Sequence, residues 1–354
     1  MKKLKNKVNL FLVESPFQLL SAIEANNYFK NEKNILIIKY FNNKVNSKNN
    51  HQMKLLKDFI SWEFIIEINC NVLNIESDIK LLFYIRKFVK TYDIDKIFIG
   101  EYRSWYMRQY FNVLKANRCF ILDDGNITLE LAKSYLSTGK DYNFSNTWKR
   151  QLKIFFNYVI IFFINNCTIP KKRVDIDLFT CFNVVQYSDK QLLINHSFEF
   201  LKKKNKVKSS LQNVVYFIGG RLSEANAMTE EDEFFELKKV KKYFDERKIK
   251  IVYIPHRRES INKLNLFKKE LNIEIKHFEY PAEIEFIQME ELPCYLASYM
   301  STALYTVSKM IDFNEVISFQ LTLNKINKIY LEDIITTYEE YKKTMKVIDL
   351  NDIN

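Results

Sequence analysis

Cys119-Phe-Ile-Leu-Asp-Asp-Gly-Asn126 is the stretch that decides the fold of this chain. Its apolar run, Phe120–Leu122, is typical of a strand buried on both faces, and it stops abruptly at two aspartates and a glycine. In an open parallel α/β sheet, ligands bind at the carboxyl ends of the strands. Two carboxylates on a glycine-permitted turn suit a base held against a substrate hydroxyl, but Asp-Gly is also a common turn former. From this stretch alone, the plain turn is the favoured interpretation.

The rest of the chain repeats the alternation of strands and helices that is typical of doubly wound α/β domains. In the first half the predicted strands are Val8–Val13, Asn34–Tyr40, Phe64–Ile68 and Ile94–Ile99, and the predicted helices are Ser15–Phe29, Ser77–Tyr92 and Trp105–Ala116. In the second half the predicted strands are Val214–Ile218, Ile249–Ile254, Ile273–Phe278, Ala297–Tyr299 and Val316–Ser318, and the predicted helices are Glu230–Arg247, Glu283–Met289 and Leu331–Met345. We expect a first domain over residues 1–190, a second over 209–330 and a terminal helix over 331–354, with the two halves facing each other across a cleft.

Composition narrows the class of protein. A length of 354 residues allows two domains with sizeable cores, and the scarcity of glycine and proline, five each, favours elements joined by short polar loops. The five cysteines are scattered, which predicts reduced thiols in a cytoplasmic protein. The net charge of +11 favours an anionic partner: nucleic acid, anionic lipid or a phosphorylated donor. The basic amino terminus lacks a signal-peptide pattern and leads into the first strand.

One segment has a different character. Leu152–Ile164 is rich in aromatic residues and has basic residues before it, within it and after it, at Lys149, Arg150, Lys153 and Lys171–Arg173. At thirteen residues it is too short to span a bilayer. It is either a buried core helix, the favoured interpretation, or a helix lying at a membrane surface.

The common cofactor and metal motifs are missing from the sequence. There is no GxGxxG, GxxxxGK[ST], GxSxG or HExxH pattern, so dinucleotide, P-loop, serine-hydrolase and zincin functions have no motif support. Of the two Asp-x-Asp pairs, the one at Asp93 sits just before a strand, the wrong end for a site, and the one at Asp175 follows a basic run outside any clear strand end. Both are expected to be solvated turns. The four histidines lack metal-ligand spacing. We therefore predict no metal and no cofactor.

Several strand ends carry groups that suit an anion. His256 with Arg257 and Arg258 follows a predicted strand. A lone histidine is more often structural than catalytic, but a His-Arg-Arg cluster at the ligand edge of a sheet is better explained by a phosphate. Ser301 and Thr302 open a helix and offer hydroxyl and backbone N–H donors, although a plain N-cap explains them equally well. The same two alternatives hold for Ser15 and Pro16 at the start of the first helix. Gly219 and Gly220 after another strand permit close backbone approach.

Taken in order, these pieces resemble the motifs of bacterial sialyltransferases, most closely glycosyltransferase family 52, the lipooligosaccharide and capsule sialyltransferases. The motifs are Ser15-Pro16-x-Gln18, Asp123-Asp124-Gly125, Gly219-Gly220-x-Leu222, Pro255-His256-Arg257-Arg258-Glu259, Pro281-x-Glu283 and Ser301-Thr302. The resemblance extends from Val8 to about Val307. The chain departs from it where the usual His-Pro is His256-Arg257, where the usual Ser-Ser is Ser301-Thr302, and where Gly219-Gly220 replaces Gly-Gln.

The resemblance implies a GT-B fold of two Rossmann-like domains and an inverting transfer, without a metal, from CMP-sialic acid or a related CMP-nonulosonate. One of Asp123 and Asp124 would be the general base that removes the acceptor hydroxyl proton. His256 would protonate or stabilise the departing CMP phosphate.

The resemblance also implies a set of donor-binding residues. Ser301 and Thr302 would hydrogen-bond the phosphate, Glu283 would contact cytidine, and Ser15 and Gln18 would meet the sialic acid carboxylate. The remaining residues expected to bind the donor are Gly219, Gly220 and Arg257.

The acceptor would be a galactoside or other glycan of lipooligosaccharide, O-antigen or capsule, possibly lipid-linked, with the protein peripheral on the inner face of the cytoplasmic membrane and no nucleic acid bound. One alternative is a GT-B transferase that uses another nucleotide sugar. Another is a non-catalytic basic protein that binds membrane or nucleic acid, in which the two aspartates would be dispensable.

Overall fold

The computed structural model describes residues 6–30, 32–43, 46–70, 81, 83, 87, 91–136, 148–164, 175–205 and 209–353 of the chain. The chain divides into two compact units, Met1–His196 and Ser197–Asn354, and each contains one parallel sheet. This division falls between the expected boundaries at 190 and 209, and the expected terminal helix belongs to the second unit.

The first domain is built on a seven-stranded sheet in the order β3-β2-β1-β4-β5-β6-β7, with every neighbouring pair parallel. Its strands are β1 Lys7–Val13, β2 Lys33–Phe41, β3 Phe64–Cys70, β4 Asp93–Ile99, β5 Arg118–Leu122, β6 Asp177–Thr180 and β7 Leu193–Asn195. Its helices are α1 Pro16–Tyr28, α2 Ser47–Leu56, α3 Trp105–Val113, α4 Ile127–Glu130, the π-helix Leu131–Leu136 and α5 Trp148–Ile164.

At the centre of this sheet, the order in which strands are added reverses. From β1 the chain adds β2 and β3 on one side and then crosses to add β4 and the later strands on the other side, so the switch point lies between β1 and β4. Phe11, Phe98 and Phe120 stack across β1, β4 and β5, with ring centroids 4.2 and 4.8 Å apart. This stacking fixes side by side the three strands whose carboxyl ends carry the first candidate site.

The second domain has a six-stranded parallel sheet in the order β10-β9-β8-β11-β12-β13. Its strands are β8 Ser209–Ile218, β9 Lys250–Ile254, β10 Glu274–Ile275, β11 Glu291–Ser298, β12 Glu315–Gln320 and β13 Lys346–Asp349. Its helices are α6 Glu199–Lys202, α7 Glu230–Asp245, α8 Ile261–Leu271, α9 Ala282–Gln288, α10 Thr302–Met310 and α11 Leu331–Tyr341. Here the switch point lies between β8 and β11. The α/β prediction of two parallel-sheet domains is thus confirmed.

Local sequence explains where the helices begin. Ser15, Ser260 and Ser301 each stand at an N-cap, and the hydroxyl of each accepts a hydrogen bond from a backbone N–H in the first turn. Pro16 occupies the first turn of α1, as predicted. The predicted strands are present, although β8 and β11 begin several residues earlier than their apolar runs and only Glu274–Ile275 of the predicted strand Ile273–Phe278 forms β10.

The prediction that Leu152–Ile164 is a core helix is wrong. The helix α5 is present, but Trp148, Phe155, Phe156 and Phe163 are 62–67% exposed. A further four large apolar side chains of α5 are exposed: Leu152, Tyr158, Val159 and Ile160. Of the α5 side chains that the structure describes, Ile161 is the one that is fully buried. A nearly continuous apolar sequence predicts burial, but burial needs a partner surface, and the described part of the chain supplies one for a single narrow face.

Other elements differ from the predictions. Helices α2 and α8 and strands β6, β7 and β13 were not predicted. Asp177, expected in a solvated turn, starts β6, is 2% exposed and accepts two hydrogen bonds of 2.7 Å from the Arg118 guanidinium. The predicted helix over 77–92 lies mostly outside the described residues.

Candidate functional site

The first candidate site lies at the switch point of the first sheet. Glu101 and Arg103 follow β4, Asp124 follows β5, and α1 begins directly after β1. The carboxyl ends of these strands meet at one edge, so residues more than a hundred positions apart come together there. We call the following residues the acidic cluster: Ser15, Gln18, Glu101, Arg103 and Asp124.

Asp124 is the centre of the acidic cluster. Its Oδ1 accepts hydrogen bonds from Gln18 Nε2 at 2.9 Å and from Ser15 Oγ at 3.4 Å, and its Oδ2 accepts one from Arg103 Nη2 at 3.1 Å. Its backbone N–H donates to Thr128 Oγ1, and the side chain keeps 16% of its surface exposed. The carboxylate is therefore firmly oriented while part of its surface stays exposed to solvent.

The surroundings of the Asp124 carboxylate shift its pKa. Burial raises the pKa of Asp124 well above its ordinary value, and the neighbouring Glu101 carboxylate raises it further, while Arg103 and Gln18 lower it. Arg103 is held in turn by two hydrogen bonds to Glu101, at 2.8 and 2.6 Å. A carboxylate with a raised pKa is a better general base near neutral pH than an ordinary aspartate.

Gly100 allows Gln18 to reach Asp124. A Cβ on Gly100 would lie 2.2 Å from the side-chain oxygen of Gln18. Gln18 is 1% exposed, and its Oε1 also accepts the Glu14 N–H at 2.8 Å. The Gln18 amide is thus clamped between β1 and β5, which fixes its Nε2 donors toward Asp124.

Asp123 lies beneath the site and does not open to solvent. Its side chain is fully buried; Oδ1 accepts from Thr180 Oγ1 at 2.6 Å and Oδ2 from the Cys181 N–H at 2.7 Å. Its own N–H donates to Ser21 Oγ. The sequence left the choice between the two aspartates open; the structure leaves part of the Asp124 side chain exposed to solvent and uses Asp123 to join β5 to β6.

One group with metal-ligating atoms surrounds Asp123. The ligand atoms of Asp123, Cys181 and His196 lie within 4.8 Å of one another, and all three residues are buried. His196 Nε2 is 3.5 Å from Asp123 Oδ2, and its ring stacks on Phe179. Both Asp123 oxygens already accept strong hydrogen bonds, so the arrangement fits a buried Asp–His pair better than a metal centre. Sequence spacing gave no sign of this grouping, because it forms across three strands.

The second candidate site lies on the second domain, at the carboxyl ends of β8, β9 and β11. The residues Pro255–Glu259, which we call the basic loop, connect β9 to α8. The backbone N–H of Arg258 donates to His256 Nδ1 at 3.1 Å, which places the imidazole proton on Nε2. His256 therefore offers Nε2–H as a hydrogen-bond donor.

The basic loop concentrates positive charge. Burial lowers the pKa of His256 well below its ordinary value, and the guanidinium groups of Arg257, Arg221 and Arg258 lower it further. Burial and the nearby Arg221 also lower the pKa of Arg258. Charges of one sign held close together at a helix start favour an anion, and a phosphate would reverse the effect on His256.

The other residues predicted to bind a donor are placed around this edge with different accessibility. Ser301 N-caps α10, and both Ser301 and Thr302 are partly exposed at its first turn. Glu283 on α9 is 4% exposed and accepts the Thr306 hydroxyl at 2.6 Å, and its burial raises its pKa. Glu283 thus already has a protein partner.

Gly219 and Gly220 differ from each other. Gly220 is partly exposed, and a Cβ there would meet only ordinary contacts. Gly219 is buried, and a Cβ there would lie 2.4 Å from Tyr253 Oη and 2.6 Å from Glu259 Oε1. Gly219 therefore makes room for these two side chains, which is a different role from the predicted donor contact.

Sequence reasoning missed four residues that the structure brings into these sites. Glu101 and Arg103 directly follow β4, and Arg221 follows Gly220, so the strand-end rule used for Asp124 would have found them. Lys263 is different. It lies inside α8 in a polar, amphipathic pattern, and nothing in that pattern shows that its ammonium group is fully buried.

Comparison with known proteins defines the class of fold. MnaA of S. aureus in a structure with UDP is 9% identical over 95% of this chain and 88% of its own, with a TM-score of 0.52. A putative UDP-N-acetylglucosamine 2-epimerase of Listeria monocytogenes is 10% identical over 96% and 89%, with a TM-score of 0.50. MurG of Acinetobacter baumannii is 9% identical over 99% and 87%, with a TM-score of 0.45. The chain has the two-domain, parallel-sheet α/β fold of the GT-B type.

The likeness goes no further than the fold. No protein-family model matches the sequence. No curated protein matches it either. Particular chemistry must therefore be argued from the two sites themselves.

Proposed function

We propose that this protein is an inverting, metal-independent glycosyltransferase that moves sialic acid, or a related nonulosonic acid, from a CMP-activated donor to a glycan hydroxyl. One observation carries the proposal. Five of the six short motifs lie directly after strands at or next to the switch point of their sheet, namely β1, β5, β8, β9 and β11. Ligand sites of doubly wound sheets lie at these strand ends.

The reaction gives each domain one task. The acceptor hydroxyl oxygen attacks the anomeric carbon of the donor sugar as the bond from that carbon to the phosphate oxygen breaks. Asp124 takes the hydroxyl proton, and CMP leaves with the electron pair on its phosphate oxygen. Because attack comes from the face opposite the leaving group, the configuration inverts. The acidic cluster supplies the base, and the basic loop stabilises the charge that develops on the phosphate.

Within the second domain, His256 donates its Nε2–H to the phosphate and Arg257 adds a positive charge. The hydroxyls of Ser301 and Thr302 and the first N–H groups of α10 donate further hydrogen bonds. Contact between Glu283 and cytidine stays a prediction, since Thr306 now occupies one of its oxygens. In the first domain, Ser15 and the start of α1 are proposed to meet the sugar carboxylate.

The acceptor is proposed to be a galactoside or other glycan of lipooligosaccharide, O-antigen or capsule, as the motif set implies. Helix α5 supports a lipid-linked form of it. A patch of eight exposed large apolar side chains on one helix is far more than isolated surface residues provide and marks an interaction surface. No helix in the described part of the chain is both long and apolar enough to cross a bilayer.

The proposed occupant of the α5 surface is the anionic inner face of the cytoplasmic membrane. The helix spans about 26 Å and would lie in the plane of the interface with its aromatic side chains inserted. The sequence places Lys149, Arg150 and Lys153 within α5 and three more basic residues at 171–173, and the chain carries a net charge of +11. Positive charge beside inserted aromatics complements anionic lipid headgroups.

A donor screen tests the proposed function. Release of CMP or UDP would be measured with CMP-sialic acid, CMP-legionaminic acid, CMP-pseudaminic acid and UDP-N-acetylglucosamine, with a galactoside acceptor. A UDP donor belongs in the screen because two proteins of the same fold are MnaA, solved with UDP, and a putative UDP-N-acetylglucosamine 2-epimerase. We expect turnover with at least one CMP-nonulosonate. Turnover with the UDP-sugar alone would replace the proposed donor, and inertness toward all four would contradict the proposal.

A further inference from the structure

Glu259 is a buried carboxylate to which the motif resemblance gives no role. Its side chain has no exposed surface although it ends the basic loop. Oε1 accepts the backbone N–H of His256 at 2.6 Å, and Oε2 accepts the Tyr253 hydroxyl at 2.9 Å and lies 3.5 Å from Lys263 Nζ. One carboxylate thus joins strand β9, the loop and helix α8.

A second hydrogen bond joins Glu259 and His256 through the backbone. The N–H of Glu259 donates to the carbonyl of His256 at 2.9 Å, so the loop closes on itself from both ends. Inside this closed turn the Arg258 N–H meets His256 Nδ1. The imidazole tautomer therefore depends on a backbone conformation that the Glu259 carboxylate holds in place.

Two further features are built around Glu259. Gly219 leaves the space that its carboxylate and the Tyr253 ring need, since any Cβ would lie 2.6 Å or less from them. Lys263, itself fully buried, supplies positive charge and is held by Glu233 at 2.8 Å and Glu224 at 2.9 Å. Burial raises the pKa of Glu259 to about 7, against the lowering effect of Lys263.

Burying this group is costly, which argues that it has a use. A buried ion pair of this kind adds little net stability compared with apolar packing, because both charges lose their hydration. An apolar side chain at position 259 would fill the same space at less cost but would leave the His256 N–H without an acceptor. What the buried carboxylate provides instead is the conformation of the basic loop.

We propose that Glu259 is a positioning residue that holds His256 in the Nε2–H tautomer, oriented to donate to the phosphate of a nucleotide donor. The role rests on the proposed function for its phosphate partner, but the effect on the imidazole does not depend on which donor is used. Tyr253, Lys263 and Gly219 support the carboxylate, and His256 is the residue that touches substrate.

Two variants of Glu259 separate the effect of side-chain length from the effect of its negative charge. Glu259→Gln keeps the length of the side chain and an oxygen for the His256 N–H but removes the charge. Glu259→Asp keeps the charge but is one methylene too short to reach that N–H. Glu236→Gln is the matched control, because Glu236 is also fully buried in this domain, accepts a backbone N–H and faces a lysine, but does not contact the basic loop.

Long-range ¹H–¹⁵N NMR of histidine-labelled protein reads the tautomer, with the His256 signals assigned by their loss in His256→Asn. We expect the Nε2–H tautomer in the wild type, in Glu259→Gln and in Glu236→Gln, and a mixture of tautomers in Glu259→Asp. With a working donor, Glu259→Asp should also lower kcat by about 10- to 100-fold, the size of effect known for residues that orient the side chains binding a metal ion.

The two proposals fail in different ways. If Glu259→Asp keeps the wild-type tautomer, or if the Gln and Asp variants behave alike, the positioning role is wrong. If the tautomers respond as expected but no CMP-sugar is turned over by the wild type, the positioning role stands and the proposed function falls.

Discussion

Asp123 and Asp124 are adjacent in sequence and have opposite surroundings. Asp123 has no exposed surface, and both of its carboxylate oxygens accept hydrogen bonds from the end of β6 and the residue after it. Asp124 lies at the carboxyl edge of the sheet and is held by three side chains. The peptide that joins them marks the boundary between core and site. A base must be both open and oriented, and Asp124 meets both needs.

The pKa of Asp124 yields a prediction about pH. As a base it must be ionised, so turnover should fall as pH drops through its pKa, and a raised pKa places this fall at higher pH than for an ordinary aspartate. Glu101→Gln removes a negative neighbour and should shift the acid limb of the kcat profile to lower pH. Arg103→Gln removes a positive neighbour and should shift it to higher pH. Profiles of kcat against pH for the three proteins check this, and shifts of the same sign in both variants would contradict it.

At the scale of elements, the useful unit is the end of a strand together with the start of the next helix. Apolar runs such as Phe120–Leu122 predict where a strand lies, and a serine such as Ser15 predicts where the helix begins. Short or polar elements escaped prediction: β6 and β7 have four and three residues, and α2 is mostly polar. Their apolar signal is too weak to be read without knowing what they pack against.

Helix α5 carries the prediction at this scale. Replacing Phe155 and Phe163 with serine should abolish flotation with anionic liposomes and leave the melting temperature nearly unchanged, because both side chains are exposed. Neutralising the basic residues at 149, 150 and 171–173 should weaken binding in a salt-dependent way.

The control for α5 is Ile329→Ser, which removes a single apolar side chain that is 80% exposed elsewhere. It should bind liposomes like the wild type. If the phenylalanine variant floats normally, α5 is not the lipid contact and the membrane proposal is wrong. If size-exclusion shows that the variant converts a dimer into a monomer, the surface takes a second copy of this chain instead of lipid.

At the scale of the whole molecule, sequence patterns predicted the fold better than the site. The order of apolar runs and caps is enough for two parallel-sheet domains. The roles of Gly219, Glu259 and Lys263 were out of reach, because they depend on which side chains meet across strands and helices. The exposure of α5 was out of reach for the same reason, since its sequence is as apolar as a core helix.

The absence of a metal requirement stays a prediction at this scale. We expect turnover to survive EDTA, because the proposed chemistry neutralises the leaving phosphate with His256 and arginine side chains. Initial rates with and without EDTA check this. Loss of turnover that Mg²⁺ or Mn²⁺ restores would contradict it, and a fall in melting temperature that Zn²⁺ reverses would point to the group of Asp123, Cys181 and His196.

The central claim is that the first domain supplies the base and the second binds the phosphate of the donor. Two measurements on Asp124→Asn test it most directly: the initial rate with a CMP-nonulosonate and the calorimetric affinity for CMP. We predict a rate lower by about 10²–10⁴-fold, the size expected for an acid–base group, with CMP affinity close to wild type. Asp123→Asn is the matched control. It should lower the melting temperature because an amide has one oxygen, so either the Thr180 hydroxyl or the Cys181 N–H loses its acceptor, at a cost of about 1–3 kcal/mol. An Asp124→Asn protein that keeps full turnover at saturation, or that loses CMP affinity, would contradict the account.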